Sequence, residues 1–471
     1  MFKNNLKIAI RNLFRQKVYT LINVLGLAVG IASCLLIVLF IQNEFSYDKF
    51  FSDHDRIYRM VLERKYPNHS TLYAIIPQSF EGVAKQDFPE IEQSTRVFGQ
   101  AEFPLSYKNE RDEVKQFDED FVLIADSSFL SLFNFTLVKG SPSSALSQAN
   151  SVVITQEAAR RYFGDADPIG KTLTAGRVDF KVTGVCEDVP ANSHFKFSAL
   201  FSAPSFPFIK NENFTSFSAY TYFKLKPGSD PNALEAKFPK MVDTYAAAQI
   251  ERNLGKSWAD YKKEGNGYRY FLQPLASIHL DPINLEAQMK VGGNRTSVYI
   301  MISVAILILV IACINFMNLA TARSAERAKE VGLRKVMGSF KKQLVFQFLT
   351  ESFVLSAIGV ALAIVVIQGA LPFFNNLTDK QLTFPFTIAS ISALIGLTAF
   401  VGLLAGIYPS FILSSFNPVV VMKGTFTGSQ KGKWIRNGLV IFQFWISIVL
   451  MIGTLVIQQQ MTFMSEKSLG F

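Results

Sequence analysis

Few residues of this 471-residue chain are spaced for chemistry, and the nearest imitation is the stretch 164–172, GDADPIGKT. A loop that cradles nucleotide phosphates needs Gly, four residues, then Gly-Lys-Ser/Thr, so that backbone N–H groups and the Lys ammonium meet the phosphate oxygens. Here the place of the first Gly is held by Asp165, and Asp167 adds a second negative charge where a phosphate would lie. A helix pattern rather than a strand precedes the stretch, which reads as a turn feeding a short strand at 171–173. The four histidines (His54, His69, His194, His279) lack metal-ligand spacing. The three cysteines (Cys34, Cys186, Cys313) supply neither a CxxC pair nor a disulfide framework. GxSxG and HExxH are absent, and no nucleophile–base set can be assembled by spacing. Catalysis by this chain, with a metal or cofactor of its own, is not expected.

A different kind of work is suggested by residues 323–338, RSAERAKEVGLRKVMG. Arg323, Arg327, Lys329, Arg334 and Lys335, followed by Lys341 and Lys342, outnumber Glu326 and Glu330. Glu330 precedes Arg334 by four, the favourable orientation for an ion pair on a helix, and Gly338 stands where a C-cap belongs. Ser339 is then placed to cap the following helix. A short charged helix held between two membrane spans has the shape needed to dock a soluble protein. The plainer reading is a solvated loop whose charges only set topology, and charge count alone leaves both open.

The elements that would hold this segment are apolar runs at 21–41, 298–319, 344–374, 386–404 and 439–457. Most approach or exceed the about 20 residues that cross a bilayer. The first is too long for the core of a cleaved signal peptide, and it continues straight through Cys34, which argues against lipidation there. The third exceeds one bilayer thickness, so its start is expected on the inner side, with Glu351 and Ser352 near the interface. A short outer loop is expected around 372–385, and a helix break or kink at Gly406-Ile407-Tyr408-Pro409. Residues 1–20 are amphipathic, with Leu6, Ile10 and Leu13 on one face and Lys3, Lys7 and Arg11 on another, as suits a helix on an anionic leaflet.

A net charge of +10 could suggest nucleic acid. The amino-terminal segment, the loop at 320–343 and the linker at 405–438 (Lys423, Lys431, Lys433, Arg436) together carry more positive charge than that total, so the remainder is net acidic. The excess is a topology signal: basic loops stay cytoplasmic, which puts the amino terminus inside, residues 42–297 outside, and no nucleic acid among the partners. That outer stretch is long enough for a core of its own. It reads as α+β, with strands at 58–63, 121–125, 151–154, 180–185 and 222–225, helices at 156–163 and 231–248, and a β-rich insertion at about 118–205. The expected fold class is a polytopic α-helical membrane protein of about five spans, with a large α+β extracytoplasmic domain between spans one and two. Residues 433–464 echo 7–45 (basic segment, Arg-Asn, apolar span, Gln), so span five is either the start of a second half or a terminal anchor.

Three stretches then carry a family resemblance. AERAKEVGLRKVMGS resembles the coupling segment of the MacB/FtsX-like permeases, the membrane subunits of mechanotransmission ABC transporters. SVVITQEAARRYFGDADPIGKTL with FKVTGVCEDVPANSHFKF is similar to their periplasmic core domain, and GLLAGIYPSFILSSFNPVVVMKG to the exit of their last core span. The resemblance implies a bacterial inner-membrane permease subunit, with ATP bound and hydrolysed on a separate cytoplasmic ABC ATPase. It implies docking of that ATPase through Glu326, Lys329, Glu330, Gly332, Arg334, Lys335 and Gly338, and transmission of its movements to the periplasmic domain for export or envelope remodelling. A dimeric or pseudo-dimeric permease, with periplasmic or outer-membrane partners, would follow. The rival expectation is a membrane-anchored sensor or interaction protein that transports nothing.

Overall fold

Charge-free apolar runs leave a backbone no water to bond with in lipid, so they close their hydrogen bonds internally as helices. The computed structural model describes residues 2–109, 111–280, 285–289, 292–322, 324–415 and 430–466, and its contacts divide the chain into two units, 1–42 with 297–471, and 43–296. The first unit is helical: α1 (Phe2–Arg15), α2 (Lys17–Ser46), α3 (Arg295–Ala322), α4 (Ser324–Val336), α5 (Lys341–Thr378), α6 (Ile388–Ser415) and α7 (Gln430–Glu466). Five of these, α2, α3, α5, α6 and α7, are long and apolar enough to cross a membrane, as the sequence pattern requires. Helix α1 buries Ala9 and Leu13 and leaves Lys7, Arg11 and Arg15 exposed, which matches its amphipathic pattern.

The helices approach closely where side chains are missing. A Cβ on Gly30 would lie 2.7 Å from the Cβ of Ala312 on α3, and one on Gly26 would lie 3.1 Å from Asn315 Nδ2. On α6, a Cβ on Gly406 would lie 2.8 Å from Ser352, and one on Gly402 would lie 3.1 Å from the backbone of Phe353. Each pair is a Gly-x-x-x-Gly repeat, the spacing that lets membrane helices pack by close backbone contact. Leu27, Ile31, Phe316, Leu355, Ala363 and Val401 fill the space between them.

The outer loop is shorter than expected, and of the break or kink expected at 406–409 no break occurs. Helix α5 runs through Pro372 to Thr378, and α6 runs through Pro409 to Ser415, so the connection between them is confined to 379–387. The carbonyls that Pro409 and Pro372 leave without an amide partner are those of Ala405 and Gln368. Proline inside a membrane helix is tolerated where neighbouring helices, hydroxyls or waters take up such groups. The start of α5 also differs from expectation. Its N-cap is Phe340 rather than Ser339, with the Phe340 N–H donating to Gln343 Oε1 at 3.0 Å, so a side chain from the first turn does the capping. Of the linker expected at 405–438, residues 416–429 lie outside the described residues.

The second unit is built on one sheet of β1 (Ile57–Lys65), β2 (Ser70–Tyr73), β3 (Ile76–Pro77), β4 (Ile91–Lys108), β5 (Val114–Ala125), β6 (Leu137–Lys139), β7 (Ser151–Thr155), β8 (Thr172–Ala175), β9 (Val178–Cys186), β10 (Ala199–Ser202), β11 (Phe217–Leu225), β12 (Gly267–Pro274) and β13 (Leu285–Glu286). The main path is β13-β2-β1-β11-β4-β5-β10-β7-β9-β6, with β12 on β1, β3 on β11, and β8 on β4 and β9. Strands from 118–205 add to this same sheet: β5 pairs antiparallel with β4 and parallel with β10, and β7 pairs parallel with β9. The helix Gln156–Phe163 lies between β7 and β8 in the chain; Thr155 caps it, its Oγ1 accepting from Ala158 N at 3.3 Å. The helix expected at 231–248 is broken instead into Pro231–Glu235, Phe238–Met241 and Ala247–Leu254, with a π turn at Val242–Ala246. Pro239 lacks the N–H that a continuous helix would use there.

Side chains alternate across β1, so Ile57 and Val61 enter one core cluster and Met60 and Leu62 the other. The first cluster is dominated by rings, with Phe129, Phe133, Phe135, Phe195 and Tyr222 packed mostly edge to face at centroid distances such as 4.8 Å for Phe133–Phe195. Each buried ring of this kind contributes about 1.5–3 kcal/mol of transfer free energy.

Candidate functional site

The charged segment is helical across Ser324–Val336. Its end is a Schellman turn: Ser339 N donates to Arg334 O at 2.9 Å, Gly338 N to Lys335 O at 3.1 Å, and Gly338 takes φ +90°, a conformation that L side chains rarely adopt. Arg334 Nη2 meets Glu330 Oε1 at 2.7 Å, the pair read from the i,i+4 spacing, and Arg334 Nη1 also donates to Gln347 on α5. Lys335 is held below the ordinary ammonium range, first by burial and then by the charge of Lys341.

Burial sorts the faces of α4. Val331 and Gly332 are buried within the chain, so the close approach that Gly332 permits is internal. Leu333, Val336, Met337 and Phe340 face outward at 54%, 65%, 78% and 72% exposure, and their spacing is i, i+3, i+4, i+7. Exposed apolar side chains therefore cluster at the end of α4 and in the turn that leads to α5, a feature that charge counting had missed. Glu326 and Lys329 belong to the helical backbone; their side chains, and Arg323 as a whole, lie outside the described residues.

The phosphate-loop imitation is a turn. Gly170 N donates to Val182 O and Val182 N to Lys171 O, both at 2.8 Å, which leads the chain into β8. The Lys171 ammonium donates to Tyr107 OH at 3.2 Å, and Asp167 pairs with Lys139 at 2.9 Å. Among the described residues no group of three or more His, Cys, Asp or Glu could hold a metal ion. Cys186 is buried, which pushes its thiol up to about 12. A cleft of about 260 Å³ lies beside the first turn of the helix Gln156–Phe163, lined by Glu119, Arg161, Asp188 and Lys196 among others. Glu119 is spent there on Arg161 at 2.6 Å and Tyr162 OH at 2.7 Å.

Two histidines occupy sites that sequence spacing did not suggest. His279 Nε2 meets Glu44 Oε2 at 2.9 Å, and His194 Nδ1 meets Asp48 Oδ1 at 2.8 Å, with all four residues buried. The partners are 235 and 146 positions apart, so no local signal could have joined them.

Two family models match along the chain, in the order of its two kinds of region. The MacB-like periplasmic core domain family matches residues 20–241, and the FtsX-like permease C-terminal family matches residues 302–418. The uncharacterized ABC transporter permease YvrN of Bacillus subtilis is 24% identical over 440 residues, 89% of this chain and 99% of that protein. The macrolide export ATP-binding/permease protein MacB of Bdellovibrio bacteriovorus is 24% identical over 273 residues, 58% of this chain but only 38% of that longer protein. Among solved structures, the periplasmic region of MacB from Actinobacillus actinomycetemcomitans is 13% identical with a TM-score of 0.30, covering 47% of this chain and 90% of that one.

Proposed function

This chain belongs to the ABC transporter permeases that join a MacB-like periplasmic core domain to an FtsX-like permease domain, and from that premise we propose that it couples a separate ATPase to movement of the periplasmic domain. The chain is a multi-pass membrane protein, and its basic stretches support an inner-membrane orientation with the amino terminus and α4 in the cytoplasm. In this reading ATP is bound and hydrolysed on the partner, and α4 together with Gly338 forms the docking element. The permease works as a dimer or pseudo-dimer, and its movement serves export or envelope remodelling, with any further partners on the periplasmic side.

The observation that carries the reading is the exposed cluster of Leu333, Val336, Met337 and Phe340 beside Glu330 and Arg334. Apolar side chains presented at the end of a charged helix are the kind of anchors that enter a partner's groove. Because Arg334 is already engaged by Glu330 and Gln347, its part is to fix the helix as well as to meet the partner. Gly332→Trp would act indirectly, by displacing α4 from its own unit.

Pull-down of the ATPase, together with permease-stimulated hydrolysis, tests this at equal membrane levels. Leu333→Glu with Met337→Glu should weaken docking by about thirtyfold or more, as loss of central anchors worth about 2 kcal/mol each would do. Arg334→Glu should weaken it too. Wild-type binding and hydrolysis in both variants would remove α4 as the docking element and favour a membrane-anchored sensor, or a cluster that merely rests on lipid.

A further inference from the structure

The chain enters the sheet unit through residues 43–48 and leaves it at residues 292–296, and two buried carboxylate–histidine contacts involve the entering segment. Glu44, in the last turn of α2, is 4% exposed and meets His279 Nε2 at 2.9 Å. The His279 ring lies flat on Tyr47, with centroids 3.4 Å apart and planes 3° apart. Gly293, two residues before α3, closes the site: a Cβ there would lie 2.5 Å from Glu44 Oε2 and 3.0 Å from His279 Nε2. The incoming and outgoing segments are therefore joined to each other directly.

The incoming segment is gripped a second time, as the outgoing one is where β13 pairs with β2 and Tyr220 OH donates to Ala287 O at 2.7 Å. Asp48 takes φ +59° and is fully buried. Its N–H donates to Asn192 O at 3.0 Å, and its Oδ1 accepts from His194 N at 3.0 Å and from Ser193 Oγ at 3.3 Å. Asn192 Nδ2 donates to Ser46 Oγ at 3.0 Å. His194 Nε2 continues the chain of contacts to Tyr222 OH at 2.9 Å, in the middle of β11. A polar path thus runs from the last turn of α2 into the centre of the sheet.

Buried polar contacts add little to stability, because desolvation offsets most of their attraction, but they are strict about geometry since a buried carboxylate left without a partner is costly. Here the strictness falls on two segments far apart in sequence. We propose that Glu44 and His279, held in place by Tyr47 and Gly293, tie the incoming and outgoing segments so that they move as one, and that Asp48–His194–Tyr222 hands this displacement to the sheet. The proposal rests on the coupling reading above and names the positioning residues through which it would act.

The test uses the full chain in lipid nanodiscs with its ATPase. Spin labels at Lys49→Cys and Thr296→Cys, exposed positions flanking the tie, report the separation of the two segments. In the wild type the separation should be narrow and the same with and without a non-hydrolysable ATP analogue. Glu44→Ala and Gly293→Ala should give a second, longer distance on adding nucleotide, while ATPase binding and stimulated hydrolysis stay at wild-type levels. Without nucleotide, amide exchange at residues 44–48 should be about tenfold faster in both variants, reporting local opening. The exchanged pair, Glu44→His with His279→Glu, should restore the narrow distance, which a merely space-filling role would not predict. A wild type that neither binds nor stimulates the ATPase overturns the coupling reading, and this tie with it, before any variant is made. A coupled wild type whose Glu44→Ala and Gly293→Ala forms keep one narrow distance overturns the tie alone.

Discussion

In the sheet unit the core is made of bulk, and in the helical unit the tightest contacts are made where there is no side chain. Phe129, Phe133, Phe195 and Tyr222 are fully or almost fully buried in the first, each ring filling space between the sheet and its covering segments. In the second, Gly26, Gly30, Gly402 and Gly406 meet Asn315, Ala312, Phe353 and Ser352 across helix pairs, and many large apolar side chains point outward, among them Phe400 at 52% and Trp445 at 60% exposure. The solvent explains the contrast. Water drives apolar area inward, so a ring is worth most in a core facing water. Lipid is as apolar as leucine, so helices in it gain little from burying area and associate by close backbone packing instead. Buried charge occurs in both: in the sheet unit Arg59 bonds Gln273 and Glu119 bonds Arg161, and in the helical unit Glu351 is buried on α5.

The largest effect that could break this comparison is expected at Gly406. A leucine there has no room, since even a Cβ meets Ser352 at 2.8 Å and Leu349 at 3.2 Å, so α5 and α6 should part and the chain should vanish from the membrane fraction. Gly369→Leu, at a position with no atom within 4 Å, is the control and should accumulate normally. Equal membrane levels for the two would show that close packing does not hold this unit. Next comes Phe133→Ala, which should cost about 3–5 kcal/mol and lower the unfolding temperature of the solubilised chain. Phe208→Ala, half exposed at 47%, should cost less than about 1 kcal/mol. A similar loss at both positions would deny that the rings act through burial.

The smallest effect concerns surface charge on the sheet unit. Asp53 is held below the ordinary carboxylate range by hydrogen bonds from Lys224 and then Arg56, and Glu90 by one from Lys237. Depressed folded values mean stability that is complete above the unfolded pKa of about 4 and is lost as pH falls through the lower folded values. The unfolding temperature should therefore drop as pH falls below about 4, and Lys237→Met should flatten part of the drop. An unchanged slope in that variant would assign the acid sensitivity elsewhere.

Much of the sheet unit was legible where the signal is local. The helix Gln156–Phe163 is bounded by Thr155 and Gly164, a cap and a stop that act within a few residues. The strands β7 and β9 are apolar runs of the expected length. The long β4–β5 hairpin was largely missed: its 18- and 12-residue strands carry many polar side chains, and pairing with each other and with β8, β10 and β11 makes them strands. Segment α4 shows the same limit. Its Glu330–Arg334 pair and its Gly338 terminus follow from spacing, whereas the burial of Gly332 and the bond from Arg334 to Gln347 depend on helices placed elsewhere.

The sequence by itself determined how the chain divides between solvents: five apolar helices, a basic segment between two of them, and one large region able to fold in water. These follow from transfer free energy and backbone hydrogen bonding, which are summed over neighbouring residues. Only the tertiary structure decided which face of α4 is outward, which glycines are contacts, and that Glu44 finds His279 and Asp48 finds His194. A buried charge must have a partner, but the sequence does not say which, because partner choice is made by the fold that brings distant segments together.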